Sequence, residues 1–334
     1  MIKNNCEEGF ENIVTIFLNY YNDEILNIER LKGASPTKSW RVDSTKKSYV
    51  LRKCVRNNDK EWLLFQNDLV EELYKRKYPV QPVIKTQEGQ SIIFENECYW
   101  QLREYTSGRC YEMGNVDDEL EAVHKLIELH NMDNLPKGPS NPNNSVEGWI
   151  FNTEFNMKKI ELELCNCTDK SNAVNLMKKY WSILENTFKY ITPNVYKSLP
   201  FAMTHGDYHG TNLIFKEKEI AAIIDLDTIE FRPRVFDLAV SSFMLTRKRR
   251  GSFELDLNST KKFIKIYSSN NKLLNSEWLS IIPFLNLYFL PSADYLKLLR
   301  TNTDKGIEWY LKWTMDAYEA VQKQFSLIIE GRSL

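Results

Sequence analysis

Two neighbouring stretches of the sequence carry most of the information about the fold. The first is Thr204-His205-Gly206-Asp207-Tyr208-His209-Gly210-Thr211-Asn212, and the second is Ile223-Ile224-Asp225-Leu226-Asp227. Between them lie two short apolar runs, about 212–216 and 219–224, separated by the polar turn Lys216-Glu217-Lys218. Apolar runs of this length around a polar turn are typical of a β-hairpin. We therefore expect the hairpin to bring the loop at its start close to Asp225 at its end.

The polar residues of these stretches are of the kind that phosphoryl transfer requires. Asp207 precedes Asn212 by five positions in a glycine-containing loop. Phosphoryl transfer depends mostly on positioning and on neutralising charge, and Mg²⁺ prefers a few hard oxygen ligands. We therefore interpret Asp207 as the group that accepts or orients the attacking hydroxyl, and Asn212 and Asp225 as metal ligands. The alternative for Asp207 alone is a turn residue beside Gly206.

The two histidines of the loop suggest a metal site less strongly. His205 and His209 are four positions apart, but the loop is not helical and no third ligand is placed near them. We interpret His205 as a hydrogen-bonding strut for the loop and count it, with Asp207, among the candidate catalytic residues. His209 stays open between a strut and a site residue.

Composition and charge are those of an ordinary globular protein. The chain has 334 residues, 43% hydrophobic and 27% charged, with a formal net charge of −1. This charge produces no overall field that would select nucleic acid or a membrane surface as a partner. The six cysteines are irregularly spaced, which is typical of reduced thiols rather than of a zinc site. The longest apolar stretch, Ile281 to Leu290, is too short to cross a bilayer, and we expect a cytoplasmic protein.

Hydrophobic periodicity divides the chain into two parts. The pattern of the first part predicts helices and strands over 8–22, 26–32, 38–43, 47–55, 60–77, 83–86, 91–95 and 98–105. After Gly108 the pattern becomes mainly helical. The sequence therefore predicts an α+β protein with a small N-terminal antiparallel sheet lobe carrying one main helix, and a larger, mostly helical C-terminal lobe. We divide the chain into residues 1–104 and 105–334.

These segments together resemble aminoglycoside phosphotransferase and choline-kinase-like enzymes over nearly the whole chain. The resemblance is carried by the catalytic loop 204–212, the metal motif 223–227 and the following Phe236-Asp237-Leu238-Ala239. It implies a two-lobed protein-kinase-like fold, and transfer of phosphate from ATP, with Mg²⁺, to a hydroxyl of a small molecule. It also implies a buried, structural role for Asp237, which would tie the catalytic loop by hydrogen bonds.

The same resemblance assigns the site residues. Asp207 matches the general base, Asn212 and Asp225 match the metal ligands, and Asp227 matches a second acidic position of the metal site. The candidate nucleotide contacts are Ser35, Arg52, Lys53, Arg103, Glu104 and Tyr105.

The nucleotide side departs from the family pattern in two places. The phosphate loop contains only Gly33 instead of several glycines, and Arg52 falls where relatives have lysine, with Lys53 pointing to the other face of the strand. Arginine and lysine are not interchangeable as phosphate ligands, so this departure admits a weakly active or inactive protein. The acidic partner expected on the helix at 60–77 is one of three residues: Asp68, Glu71 or Glu72.

A closer resemblance within this group of proteins leaves alternatives for the function. The segment Thr86-Gln87-Glu88-Gly89 and residues 104–109 look most like CotS-type bacterial spore coat proteins. A structural coat protein or pseudokinase on the same fold would have other coat proteins as partners and the spore coat as its location. A third hypothesis is antibiotic resistance by phosphorylation.

Trp309 and Trp313, at i and i+4, are interpreted as core, or alternatively as an aromatic wall for a cationic substrate.

Overall fold

The computed structural model describes residues 10–21, 23–31, 38–55, 57–141, 145–165, 170–290, 292–293, 296–297 and 304–331. Ser35 and Gly33 of the predicted phosphate loop lie outside the described residues. Two compact units make up the chain. The first contains Met1–Tyr111, Asp133–Asn143 and Thr211–Glu230, and the second contains Glu112–Met132, Asn144–Gly210 and Phe231–Leu334. The proposed division at residues 104 and 105 stays a prediction.

The first unit is built on an antiparallel sheet with strand order β1-β2-β3-β6-β4, in which β5 also pairs with β6. Its strands are β1 (Ile25–Leu31), β2 (Lys38–Ser44), β3 (Ser48–Lys53), β4 (Val83–Ile84), β5 (Ile93–Glu95) and β6 (Cys98–Glu104). Two helices accompany the sheet, α1 (Phe10–Tyr21) and α2 (Lys60–Lys75). The strands and helices predicted for this part are confirmed, with ends that differ by a few residues.

The two faces of this sheet differ in polarity. One face is apolar and forms a core with α1 that includes Ile13, Phe17, Val42, Leu51, Trp100 and Leu102. Because side chains alternate along a strand, Arg52, Gln101 and Arg103 lie on the other face. Gln66 and Asn67 of α2 form hydrogen bonds there with Gln101 and Arg103. Buried polar groups are tolerated when they bond to one another, so α2 covers a polar network there.

A smaller sheet in the same unit contains the predicted hairpin. Its order is β10-β9-β7, with β7 at Arg109–Cys110, β9 at Leu213–Lys216 and β10 at Glu219–Ile223. Glu217 of the polar turn has a φ of 58°, and the register pairs Glu219 with Lys216. The hairpin is confirmed. A methyl group at Gly108 would lie 2.4 Å from the backbone oxygen of Phe215, so the chain beside β7 requires glycine.

The second unit is mainly helical. Its helices are α3 (Val116–His130), α4 (Ser145–Phe151), α5 (Thr153–Cys165), α6 (Lys170–Tyr190), α7 (Pro193–Ser198), α8 (Arg234–Leu245), α9 (Leu257–Asn270), α10 (Asn275–Phe289) and α11 (Asp304–Glu330). A two-stranded sheet pairs β8 (Phe201–Thr204) with β11 (Glu230–Pro233).

The predicted α+β class is confirmed, with a sheet-rich N-terminal part and a helical C-terminal part. Among the residues that the structure describes, no helix is long and apolar enough to cross a membrane.

Candidate active site

The metal motif follows β10 as a tight bend. Asp225 has φ 60° and ψ 61°, in the left-handed region, and a single 3₁₀ turn, Leu226–Thr228, comes directly after it. A residue other than glycine in a sparsely populated region costs about 1–3 kcal/mol and persists only where its surroundings hold it. The bend therefore depends on contacts from the rest of the unit.

Three buried amide side chains supply those contacts. Gln66 donates a hydrogen bond of 2.8 Å to the carbonyl oxygen of Leu226. Asn57 and Asn141 both donate to the carbonyl oxygen of Asp227, at 2.7 and 2.8 Å. Since a net hydrogen bond contributes about 1 kcal/mol, the three together are able to offset the strain at Asp225.

Arg52 joins the two carboxylates of the motif. Its Nη2 lies 2.9 Å from Oδ1 of Asp227 and 3.6 Å from Oδ1 of Asp225. Burial opposes the charge of Arg52, but the two carboxylates outweigh burial and raise the pKa of the guanidinium above its ordinary value. Arg52 is therefore a permanent cation paired with two of the candidate metal ligands.

The acidic partner of Arg52 expected on the helix at 60–77 is not found on α2, which the structure describes in full. Glu71 pairs with Lys85 and Glu72 with Arg76, each at 2.8 Å. Arg52 instead takes its carboxylates from the metal motif. The reason is the helical period, which places Gln66 on the buried face and leaves Asp68 exposed.

Arg103 is a second buried cation on the same sheet face. Its side chain is 4% exposed, and its closest acceptor is Oδ1 of Asn67, at 2.8 Å from Nη2. Burial and the neighbouring charge of Arg52 lower the pKa of Arg103 to about 9, so the guanidinium is still charged at neutral pH. Its other hydrogen-bond acceptors are the backbone oxygen of Gln81 and the amide oxygens of Gln66 and Gln101, which are all neutral.

The other candidate nucleotide contacts lie at separate places in this unit. Lys53 has its ammonium 5.5 Å from the ring centroid of Trp100, on the opposite face from Arg52 as the alternation predicts. Glu104 accepts a hydrogen bond of 3.0 Å from Lys47. Tyr105 has the guanidinium of Arg41 4.5 Å above its ring. The roles of these residues in nucleotide binding stay predictions.

The hairpin brings Asn212 next to the metal motif. Asn212 ends the short 3₁₀ turn Gly210–Asn212 and is buried. Its carbonyl oxygen accepts a hydrogen bond of 2.9 Å from the backbone N–H of Ile224, the residue before Asp225. The expected proximity of Asn212, at the end of the loop, to Asp225 is confirmed at the backbone.

The donor set of Asn212, Asp225 and Asp227 fits a hard divalent cation. One amide and two carboxylates offer the oxygen ligands that Mg²⁺ prefers. Within the described parts of the chain, no group of three or more His, Cys, Asp or Glu side chains is placed to hold a metal ion. A magnesium ion bound here would therefore take its remaining ligands from water and from phosphate oxygens.

In the second unit, Asp207 is held at both carboxylate oxygens. Tyr288 donates to its Oδ1 at 2.8 Å, and Nε2 of His209 lies 3.4 Å from its Oδ2. Burial acts to raise the pKa of Asp207, but His209 and Tyr288 outweigh it and hold the pKa below its ordinary value. The side chain is 24% exposed. Asp207 is thus an ionised carboxylate that solvent reaches.

The loop around Asp207 is fixed from behind by buried groups. The backbone N–H groups of His205 and Gly206 donate to the carboxylate of Asp237 at 2.6 and 2.7 Å. Nδ1 of the buried His205 accepts from the N–H of Asp207 at 3.2 Å. The structural role predicted for Asp237 is confirmed. His205 is placed as a positioning residue, and a direct catalytic role for it stays a prediction.

The two tryptophans of α11 differ in surroundings. Trp309 is 62% exposed and stacks on Trp313, with ring centroids 6.3 Å apart. Trp313 also packs against Phe253 and Phe289, at 5.3 and 5.6 Å. Trp313 therefore belongs to an aromatic cluster of this unit, and the exposed ring of Trp309 extends it to the surface.

Sequence reasoning missed several residues that complete the site. Gln66, Asn57 and Asn141 hold the metal motif, and Tyr288 holds Asp207. The helical spacing of Gln66 with the buried Trp62 and Leu69 was a usable signal for Gln66. The sequence offers no such signal for Tyr288, because a tyrosine in an apolar helix is usually interpreted as a core residue.

Several solved structures are similar to this one over almost their full lengths. The microcompartment-associated aminopropanol kinase has a TM-score of 0.68 at 14% identity, covering 95% of this chain and 98% of that one. Spectinomycin phosphotransferase APH(9)-Ia, in complex with ADP and spectinomycin, has 0.64 at 15%, covering 94% and 98%. Amicoumacin kinase hAmiN, in complex with AMP-PNP, Ca²⁺ and Ami, has 0.62 at 14%, covering 95% and 94%. At these identities the likeness shows the fold alone.

Sequence comparison extends this likeness. A search of curated proteins gives no match to the chain. The family of phosphotransferase enzymes known as APH matches residues 27–260. This range is most of the chain and contains the catalytic loop, the metal motif and Asp237. The chain belongs to the APH phosphotransferase enzyme family.

Proposed function

We propose that this protein transfers phosphate from ATP to a hydroxyl of a small molecule, with Mg²⁺ as cofactor and Asp207 as general base. The observation that carries the proposal is the oxygen-rich bend at the end of β10. Asp225 and Asp227 share one cation there, and Asn212 is bonded to the residue before them. Family membership supports the reaction class.

Asn212, Asp225 and Asp227 would hold the Mg²⁺ ion. The ion would supply charge neutralisation on the nucleotide phosphates, which is the main requirement of phosphoryl transfer. The similar structures support nucleotide use, since one contains ADP and another contains AMP-PNP with Ca²⁺. The compounds after which these enzymes are named, aminopropanol, spectinomycin and amicoumacin, support a small hydroxyl compound as the acceptor.

Asp207 would accept the proton of the attacking hydroxyl. A general base must be ionised at the working pH and within reach of that proton. The lowered pKa of Asp207 supports the first condition, and its partly exposed side chain supports the second. Tyr288 and His209 would keep the carboxylate from rotating.

The remaining assignments follow the family pattern. Residues 1–104 would form the nucleotide-binding lobe, with Ser35, Arg52, Lys53, Arg103, Glu104 and Tyr105 as contacts. Residues 105–334 would form the helical lobe that carries the catalytic loop 204–212 and the metal motif 223–227. We expect a cytoplasmic enzyme.

One specific observation favours a second candidate. The pairing of Arg52 with both carboxylates of the metal motif is compatible with a protein in which catalysis is weak or lost. Such a protein would be a structural component of the CotS type, found in the spore coat with other coat proteins.

A nucleotide-binding and turnover experiment separates the two candidates. Purified protein would be titrated with ATP and Mg²⁺, and ADP release would be followed with amino alcohols, choline and aminoglycosides as acceptors. We expect Mg²⁺-dependent ATP binding and turnover that Asp207→Asn abolishes and Asp256→Asn, an exposed helix cap, retains. Absence of Mg²⁺-dependent binding at millimolar ATP would contradict the enzyme and leave the structural candidate.

A further inference from the structure

Arg52 occupies the electrostatic position that a divalent cation would take. Its guanidinium lies within 4 Å of Oδ1 of both Asp225 and Asp227, and only 13% of its side chain is exposed. The amide clamp from Gln66, Asn57 and Asn141 acts on the backbone of the same bend. The carboxylates are therefore held in place with a cation already beside them.

The local charges already balance before any metal arrives. Arg52 and Arg103, which interact electrostatically with each other and with Asp227, contribute two positive charges, and Asp225 and Asp227 contribute two negative charges. A bare divalent ion that joined the two carboxylates would meet the guanidinium of Arg52 in a partly buried setting, where like charges repel strongly. A metal ion that arrives with a triphosphate would meet a different balance, because the phosphates offer Arg52 new anionic partners.

We propose that Arg52 couples metal binding to nucleotide binding. In the free protein, Arg52 pairs with Asp225 and Asp227 and so opposes the entry of a lone divalent ion. When a nucleotide binds, Arg52 pairs with its phosphates instead of the two carboxylates, and both carboxylates become available to the metal. The inference rests on the proposed function, because it takes these carboxylates as metal ligands. Coupling of this kind is reciprocal, so the metal must strengthen nucleotide binding by the same factor.

The decisive experiment measures metal binding to the nucleotide-free protein. Mn²⁺ serves as the probe, because its free form is quantified by electron paramagnetic resonance. We expect Arg52→Gln to bind Mn²⁺ about tenfold more tightly than the wild type, a factor within the usual range for linked sites. Arg52→Lys, which keeps the charge but not the planar fork, should fall between them. Arg76→Gln is the matched control, since it removes another arginine–carboxylate pair of the same unit.

A second measurement uses calorimetry of ADP binding with and without saturating Mn²⁺. The metal should strengthen ADP binding equally in the wild type and in Arg76→Gln. The increase in ADP affinity should be smaller in Arg52→Gln. Thermal unfolding of each variant checks that it is folded. If Arg52→Gln is unfolded, Arg52→Lys replaces it in both measurements.

The outcomes separate the inference from the proposed function. Nucleotide-free Mn²⁺ affinity that is the same in wild type and in folded Arg52 variants overturns the coupling, even if wild type binds ADP in a metal-dependent way. Absence of metal-dependent ADP binding in the wild type overturns the proposed function and the coupling with it.

Discussion

The hydroxyl of Tyr288 donates a hydrogen bond of 2.8 Å to Oδ1 of Asp207, across 81 positions of the chain. Tyr288 lies on α10, and the contact also changes the pKa of its hydroxyl. Its burial and the charge of Asp207 raise the pKa of its hydroxyl well above the ordinary value. The phenol therefore stays protonated and remains a donor throughout the range in which Asp207 would act as a base.

Replacing Tyr288 with phenylalanine should shift the acid limb of the activity profile to higher pH. The substitution removes one of the bonds that lower the pKa of Asp207 and keeps the ring in place. We expect kcat at neutral pH to fall about ten- to a hundredfold, as for the loss of one hydrogen bond of about 1.5–3 kcal/mol to a charged group, with little change in the KM for ATP. The measurement is ADP release as a function of pH. Tyr318→Phe, on α11, is the control, and an unmoved acid limb in Tyr288→Phe would count against the role of Tyr288.

Asp237→Asn should destabilise the second unit in a pH-dependent manner. Although burial raises the pKa of Asp237, His130 and the loop N–H groups outweigh it and lower the pKa below the ordinary value. The stabilisation is therefore complete above pH of about 4 and is lost as pH falls through the folded pKa. We expect a loss of about 3–5 kcal/mol in unfolding free energy at pH 7, as for a broken buried charge pair, and a smaller loss at pH of about 3.

Urea denaturation at the two pH values checks this prediction. Asp256→Asn is the matched control, because Asp256 caps α9 at the surface and asparagine caps equally well. A loss in Asp237→Asn that stayed constant with pH would show that the carboxylate charge is not the cause.

Removing the amide clamp should weaken the metal site more than the fold. Asn57→Ala and Asn141→Ala each delete a donor to the carbonyl oxygen of Asp227, and each should cost about 1–2 kcal/mol of unfolding free energy. Because both donors share one acceptor, the double variant should deviate from additivity. Calorimetry of ADP binding with Mn²⁺ should show weaker binding in each variant. Asn58→Ala, at an exposed position of the same unit, should leave it unchanged; equal effects in all three variants would contradict the clamp.

Gly108→Ala should disturb the hairpin through a direct clash. The added methyl would lie 2.4 Å from the oxygen of Phe215 and 2.7 Å from Cγ2 of Ile214, so β9 must shift. We expect a loss of about 1–3 kcal/mol in unfolding free energy, as for overpacked sites, together with weaker Mn²⁺-dependent ADP binding because Asn212 precedes β9. Gly89→Ala is the control, since it adds backbone strain at φ 81° without any nearby atom. Its ADP binding should match the wild type.

The parts of the fold that were predicted correctly are those governed by nearby residues. The hairpin of β9 and β10 follows from two apolar runs around Lys216-Glu217-Lys218, and the closeness of Asn212 to the metal motif follows from the hairpin. Residue alternation along β3 correctly places Arg52 and Lys53 on opposite faces. Such features depend on the strand period and on turn chemistry, which a single sequence contains.

The contacts that were not predicted join residues that are far apart in the chain. Arg52 and Asp227 are 175 positions apart, and only the packing of β3 beside the bend decides that they pair. Charge alone favours the three acidic residues of α2 as partners of Arg52, whereas the helical period turns Gln66 inward. The hydrogen bond from Tyr288 to Asp207 likewise depends on where α10 lies, which no local pattern encodes.

At Asp225, the left-handed backbone lowers the stability of the fold, whereas the proposed chemistry requires the carboxylate that this residue carries. Glycine would adopt φ 60° without penalty, so Asp225→Gly would relieve a strain of about 1–3 kcal/mol while deleting a carboxylate beside Arg52. Because the same change takes a carboxylate away from the buried Arg52 and gives the unfolded chain more freedom, a melting temperature alone would not report the loss of the charge. A thermostabilised version of this protein should be selected with position 225 held fixed.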